Sequence, residues 1–78
     1  MTRYYFDIRD DTGLYPDEEG LECGTQREAE VEAAQTLADL TRNLLPMDER
    51  RDLVVEVRSN TERVFQVALV FNNSRVIQ

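Results

Sequence analysis

From Thr25 to Leu45 the apolar residues return every three or four positions, whereas on both sides of that stretch they return every second position. The first period belongs to a helix with one buried stripe, the second to strands with one buried face. One helix set between strands leaves few architectures, and the simplest is a sheet with the helix laid across one face. In helical projection Ala29, Ala33, Leu37, Leu40 and Leu44 share a narrow stripe, and Glu28, Glu32, Gln35, Asp39, Arg42 and Asn43 lie opposite it. Val31, Ala34, Ala38 and Leu45 form a second, flanking apolar stripe. Thr25 followed by Glu28 is a capping box, in which each side chain satisfies a backbone N–H of the first turn. Pro46 disfavours helical geometry in the residue before it and stops the helix near Leu45.

The strands come from period-two runs. Tyr4, Phe6 and Ile8 fall on one side of the first run, and Arg3, Tyr5, Asp7 and Arg9 on the other. Leu53, Val55 and Val57 alternate with Val54, Glu56 and Arg58; Phe65, Val67, Leu69 and Phe71 alternate with Val64, Gln66, Ala68 and Val70. Ser59 to Glu62 between these two runs is polar, and Asn60 tolerates a left-handed turn, so the pair reads as a hairpin. Asp10 to Gly20 is an acidic loop, within which Leu14 and Tyr15 can pair briefly against the first strand; Gly20 to Cys23 can form another short strand. The pattern predicts one α+β domain over residues 1–78, with a three- to four-stranded, mainly antiparallel sheet packed on one face by one α-helix. Its core is expected to hold Tyr4, Phe6, Ile8, Ala33, Leu37, Leu40, Leu44, Leu53, Val55, Val57, Phe65, Val67, Leu69 and Phe71. Strand order cannot be read from such a pattern.

Composition narrows the chemistry. The chain of 78 residues has one cysteine, Cys23, so no internal disulfide forms, and it has no histidine, the commonest transition-metal ligand and neutral-pH base. All nine basic residues are arginine, which removes Schiff-base and phosphate-loop lysines. Serine and threonine triads lack a base for the same reason. The net charge of −7 repels phosphate backbones and anionic lipid, so neither nucleic acid nor a membrane is an expected partner. No apolar run approaches the ~20 residues of a membrane span, and the first residues lack the pattern of a secretory leader, which together predict a cytoplasmic protein.

Few residues are left as site candidates. Asp10, Asp11, Asp17, Glu18 and Glu19 are the only carboxylates dense enough to suggest a hard cation such as Ca²⁺, but their spacing is not that of an EF-hand, and solvated turn carboxylates account for them. Asp7 reads as a solvated strand carboxylate near Arg3, Arg9 or Arg58, and nothing suggests a buried carboxylate pair of the kind that acid–base catalysis uses. Cys23 lies close to a helix N-terminus, where a thiol can be activated, but reads as a small buried apolar residue. Arg3, Tyr5 and Arg9 share a strand face, an arrangement some modules use for single-stranded nucleic acid; with Asp7 in the same row it reads as cross-strand ion pairing. No metal, cofactor or catalytic residue is therefore assigned.

The order of the pieces resembles a family of small uncharacterised bacterial proteins, a domain family of unknown function. Members open with a strand close to Pro-Arg-Tyr-Phe-Phe-His, followed by an acidic loop, Asp-x-x-Gly-x-Glu, an Ala-rich helix and a terminal hairpin. The matching residues here are Arg3, Tyr4, Tyr5 and Phe6, then Arg9 and Asp10, then Asp17, Glu18, Glu19, Gly20 and Glu22. Thr2 stands at the usual proline and Asp7 at the usual histidine. The resemblance implies the fold and leaves the activity open. A looser resemblance links Gly20 to Cys23 and the Thr25-capped helix to antitoxins with a degenerate ribonuclease-H-like fold.

Function is thus unknown at this level. The leading expectation is a non-catalytic protein-interaction or regulatory domain, not an enzyme, that associates with an unidentified protein or with itself. One helix is ~10 Å across and covers a single face of a small sheet. Tyr5, Val54, Val64, Ala68 and Val70 are expected on the other face, too apolar to be left in water, which makes them the candidate homodimer interface. The alternative is an antitoxin-like or RNA-associated regulator.

Overall fold

The computed structural model describes residues 1–44 and 52–70, the side chains of 43 and 44 excepted. Five strands and one helix follow in the order β1 (Thr2–Asp10), β2 (Gly13–Tyr15), β3 (Leu21–Cys23), α1 (Gln26–Leu44), β4 (Leu53–Arg58) and β5 (Arg63–Leu69). The fold is α+β as expected, with five strands in place of three or four, because a short segment within the acidic loop and another just after it both pair with β1.

All pairings are antiparallel, and the sheet order is β2-β1-β4-β5, with β3 on the first residues of β1. β1 and β2 form a hairpin around Asp11 and Thr12. The Asp10 carboxylate closes it by accepting the N–H groups of Thr12 at 2.8 Å and Gly13 at 3.2 Å. At Gly20 the chain returns to β1 with φ +74°, and a Cβ there would meet Arg3 Cγ at 2.9 Å and the Tyr4 carbonyl at 3.0 Å. Glycine is required at that point both by conformation and by space.

The helix begins as its capping box predicts. Thr25 Oγ1 accepts the Glu28 N–H at 3.1 Å, while the Glu28 carboxylate reaches one residue further back, to the N–H of Gly24 at 2.6 Å. Ala29 and Ala33 are fully buried and let α1 sit close on Val55 and Val57, with Phe6, Ile8, Leu37, Phe65 and Val67 packed around them. Tyr4, Cys23 and Leu53 are buried as well. Leu40 and Leu69 of the expected core are half-buried. The side chain of Leu44, together with Leu45 and Phe71, lies outside the described residues.

Two expectations fail in the second hairpin. Asn60 is not left-handed, since no described residue other than glycine has positive φ. Ser59 shapes the turn instead: its hydroxyl oxygen accepts the N–H groups of Thr61 and Glu62, both at 3.3 Å. The register also shifts between Val57 and Arg58, and Val64 packs against the buried cluster instead of facing away from the helix. A bulge adds one residue to one strand and so reverses the side on which the following residue falls.

A charged cleft on the helix-free face

Phe6, Ile8, Val55 and Val57 belong to the helix side, so the intervening Tyr5, Asp7, Arg9, Val54, Glu56 and Arg58 point to the other face. Asp7 lies directly opposite Glu56, with Tyr5 opposite Arg58 and Arg9 opposite Val54. Two carboxylates thus meet across adjacent strands, and like charges so placed repel. Each is answered on the diagonal. Arg58 Nε donates to Asp7 Oδ2 at 2.8 Å, and Arg9 Nε pairs with Glu56 Oε2, also at 2.8 Å. Arg63 Nη2 stands 3.8 Å from the other oxygen of Glu56.

This corrects the reading of Asp7 as a solvated strand carboxylate. Its side chain is 8% exposed and that of Glu56 10%. Burial comes from the neighbours. Arg58 lies over the Tyr5 ring with Cζ 4.5 Å from its centroid, a cation–π stack that holds the guanidinium beside Asp7. The acidic loop supplies the rest, because the N–H of Asp17 donates to Asp7 Oδ1 at 2.8 Å and Arg58 Nη2 donates to the Asp17 carbonyl at 3.2 Å.

Asp17 is likewise more than a solvated turn residue. Its bond to β1 falls between the residues paired with β2 and those paired with β3, where the edge of β1 away from β4 has no strand partner. There it accepts the N–H of Phe6 at 3.2 Å, together with those of Glu19 at 3.1 Å and Gly20 at 3.2 Å. Partial burial pushes its pKa up, but these three donors and the nearby Arg58 charge outweigh burial and hold it below the ordinary aspartate value. Asp11, Glu18 and Glu19 are exposed at the surface. Among the described residues no group of three or more carboxylate or thiol side chains is placed to hold a metal.

Asp7, Glu56, Arg9 and Arg58 form one side of an open depression of about 440 Å³, with Leu14, Pro16 and residues Ser59 to Arg63 around it. Tyr5 is not part of its lining. Cys23 is buried on the other side of β1, near the helix start. Burial, and then the charges of Glu28 and Glu32, raise its thiol pKa, the reverse of activation. Arg3 is engaged with Glu22 at 3.0 Å and with the Glu19 carbonyl at 2.8 Å. The row of Arg3, Tyr5 and Arg9 is therefore an ion-pairing row, its aromatic face taken by Arg58.

Of the residues assigned to an interface, Tyr5 and Val54 are half-buried, Val64 faces the core, and Ala68 and Val70 are exposed. Val54 pairs with Ala68 across β4 and β5, at the end of the sheet away from the Ser59 turn. The sequence reading missed Glu56 as Asp7's partner. Its position between Val55 and Val57 marked it as facing away from the core, but only the pairing of β1 with β4 brings it beside Asp7.

These features are those of a small antiparallel α+β domain with a charged open face. The chain matches a domain of unknown function, DUF6894, over residues 3–70, and belongs to that family. Comparison with curated proteins and with solved structures returns no match. No described helix is long and apolar enough to cross a membrane.

Proposed function

We propose that this is a non-catalytic interaction domain of the cytoplasm, which presents the helix-free face of its sheet to a protein partner, in the first instance a second copy of itself. The observation that carries the reading is the state of that face. Its buried carboxylates are already paired with arginines, Asp7 with a backbone N–H as well, while Val54 and Ala68, with Val70 just beyond β5 at 64% exposure, have no described element over them. Groups engaged in this way hold a surface in shape. Apolar residues grouped on an otherwise charged face mark a contact surface. Two copies related by a two-fold axis would cover it most simply.

Light scattering at micromolar concentration tests this. The expected mass is twice the 9.1 kDa of the chain. Val70→Glu is expected to halve it without loss of the far-ultraviolet dichroism, and Gln35→Lys on the exposed helix face to leave it unchanged. A monomer mass at about 100 μM, where a pair with a dissociation constant of about 1 μM would be almost wholly dimeric, rejects self-association.

A further inference from the structure

The layering of charge in the cleft points to a ligand. The carboxylates of Asp7 and Glu56 lie underneath, while the side chains of Arg58, Arg9 and Arg63 above them are 40%, 50% and 70% exposed. Arg9 and Arg58 both meet their carboxylate through Nε. A guanidinium held by that edge keeps at least one terminal nitrogen directed away from the carboxylate; one of Arg58's donates to the Asp17 carbonyl, and those of Arg9 have no hydrogen-bond partner among the described residues. Burying two facing carboxylates is an expensive way to stabilise a sheet, since apolar residues of the same volume do as well or better. It does fix the direction of two flexible cations, Arg9 and Arg58, and draws a third, Arg63, to the same side, which an exposed arginine cannot do for itself.

We propose that this cleft is a receptor for a carboxylate group carried on an apolar body, with Arg9 and Arg63 as the binding residues, Asp7 and Glu56 as the residues that position the arginines, and Leu14 and Pro16 as the apolar wall. Guanidinium forks suit both carboxylates and phosphates. The net charge of −7 selects between them, because the field of the whole chain opposes a dianion more than a monoanion. The inference deepens the reading of this face as a contact surface. The two can fail separately, since molecular mass reports on Val70 and carboxylate binding on the cleft.

The test is a titration of the ¹⁵N-labelled chain with benzoate, acetate and phenyl phosphate at constant ionic strength, followed through backbone amides and arginine Nε–H signals. Benzoate is expected to bind saturably, moving Arg9, Arg58 and the Ser59 to Arg63 amides, and about fivefold more tightly than acetate because its ring buries apolar surface. Phenyl phosphate is expected to bind more weakly than benzoate; tighter binding overturns the choice of carboxylate. Arg63→Gln and Arg9→Gln should each weaken benzoate about fivefold, and Arg42→Gln on the helix should not. Glu56→Gln separates positioning from bulk charge: it is expected to weaken binding, although removing a negative charge would by long-range attraction strengthen it. Shifts that never saturate, or that affect Arg27 and Arg42 equally, or tighter binding by Glu56→Gln, overturn the proposal. If Glu56→Gln does not fold, Arg63→Gln decides alone, and unchanged affinity there overturns it.

Discussion

Val55 and Glu56 are neighbours in β4, both are buried, and they point to opposite faces of the sheet. Val55 is buried by hydrocarbon: α1 lies over it with two alanines, and no polar atom needs a partner. Glu56 is buried by charge, under Arg9 and Arg63 and beside an equally buried Asp7. The apolar face tolerates small changes of volume but no unpaired polar atom. The charged face depends on each donor keeping its acceptor. Among the described residues that account closes, since no buried side-chain nitrogen or oxygen lacks a partner. Hydrophobic alternation excludes one-residue slips of β1 on β4 but leaves slips of two residues open. The diagonal pairs Asp7–Arg58 and Glu56–Arg9 are directional and select one register.

Exchanging the chemistries should break this division most severely. Val55→Asp places a carboxylate under the helix with no cation in reach, and is expected to cost about 3–5 kcal/mol, as for an uncompensated buried charge. That approaches the whole stability of a domain this small, so loss of the cooperative urea transition is the expected reading. A folded Val55→Asp with a normal melt would show that the helix does not seal that face.

On the charged face, Asp7→Ala leaves the Asp17 N–H and the Arg58 Nε–H without their acceptor and should cost about 2 kcal/mol. The double change Asp7→Leu with Arg58→Met removes both halves of the pair and is expected to recover about half of that loss, the rest being the Asp17 N–H that still lacks its acceptor. Urea melts of the three proteins check this. Full loss in the double variant would mean that the ion pair itself, and not its completeness, carries stability.

Asp17 gives the comparison a pH dependence. Its folded pKa lies below its unfolded value, so the unfolded chain binds more protons in acid. Its contribution is complete above the unfolded value near 4 and is lost as pH falls through the lower folded value. Asp17→Asn should therefore be less stable than the parent at pH 7, with the gap narrowing below about pH 4. Thermal melts between pH 7 and pH 2.5 would show it, and a gap independent of pH would refute it.

The smallest effect belongs to the apolar side. Thr25→Ala removes the helix cap and should cost about 1 kcal/mol by urea melting. Because Glu28 caps Gly24 from its own side chain, a cost near zero would mean that this second arm suffices alone.

The apolar half of the molecule was legible in the residues themselves. The periods of 3.6 and 2, the Thr25 cap and the alternation of β4 are local, and they point to the same core in any strand order. The same alternation put Glu56 and Asp7 on the helix-free side, yet it could not show that they are buried or adjacent. Val64 and Asn60 were misread for a related reason. A bulge and a serine-closed turn are settled by how two strands fit, and no single strand records them.

What the sequence by itself determined is one helix among strands, its buried stripe, and the exclusion of histidine, lysine and disulfide chemistry. Those follow from composition and from repeats no longer than a helical turn. Only the tertiary structure decided the order β2-β1-β4-β5, the seat of Asp17 on Phe6, and the two carboxylates facing each other beneath arginines. The physical reason is distance along the chain. Asp7 and Arg58 are 51 residues apart, and nothing in either segment signals the other until β4 is paired with β1.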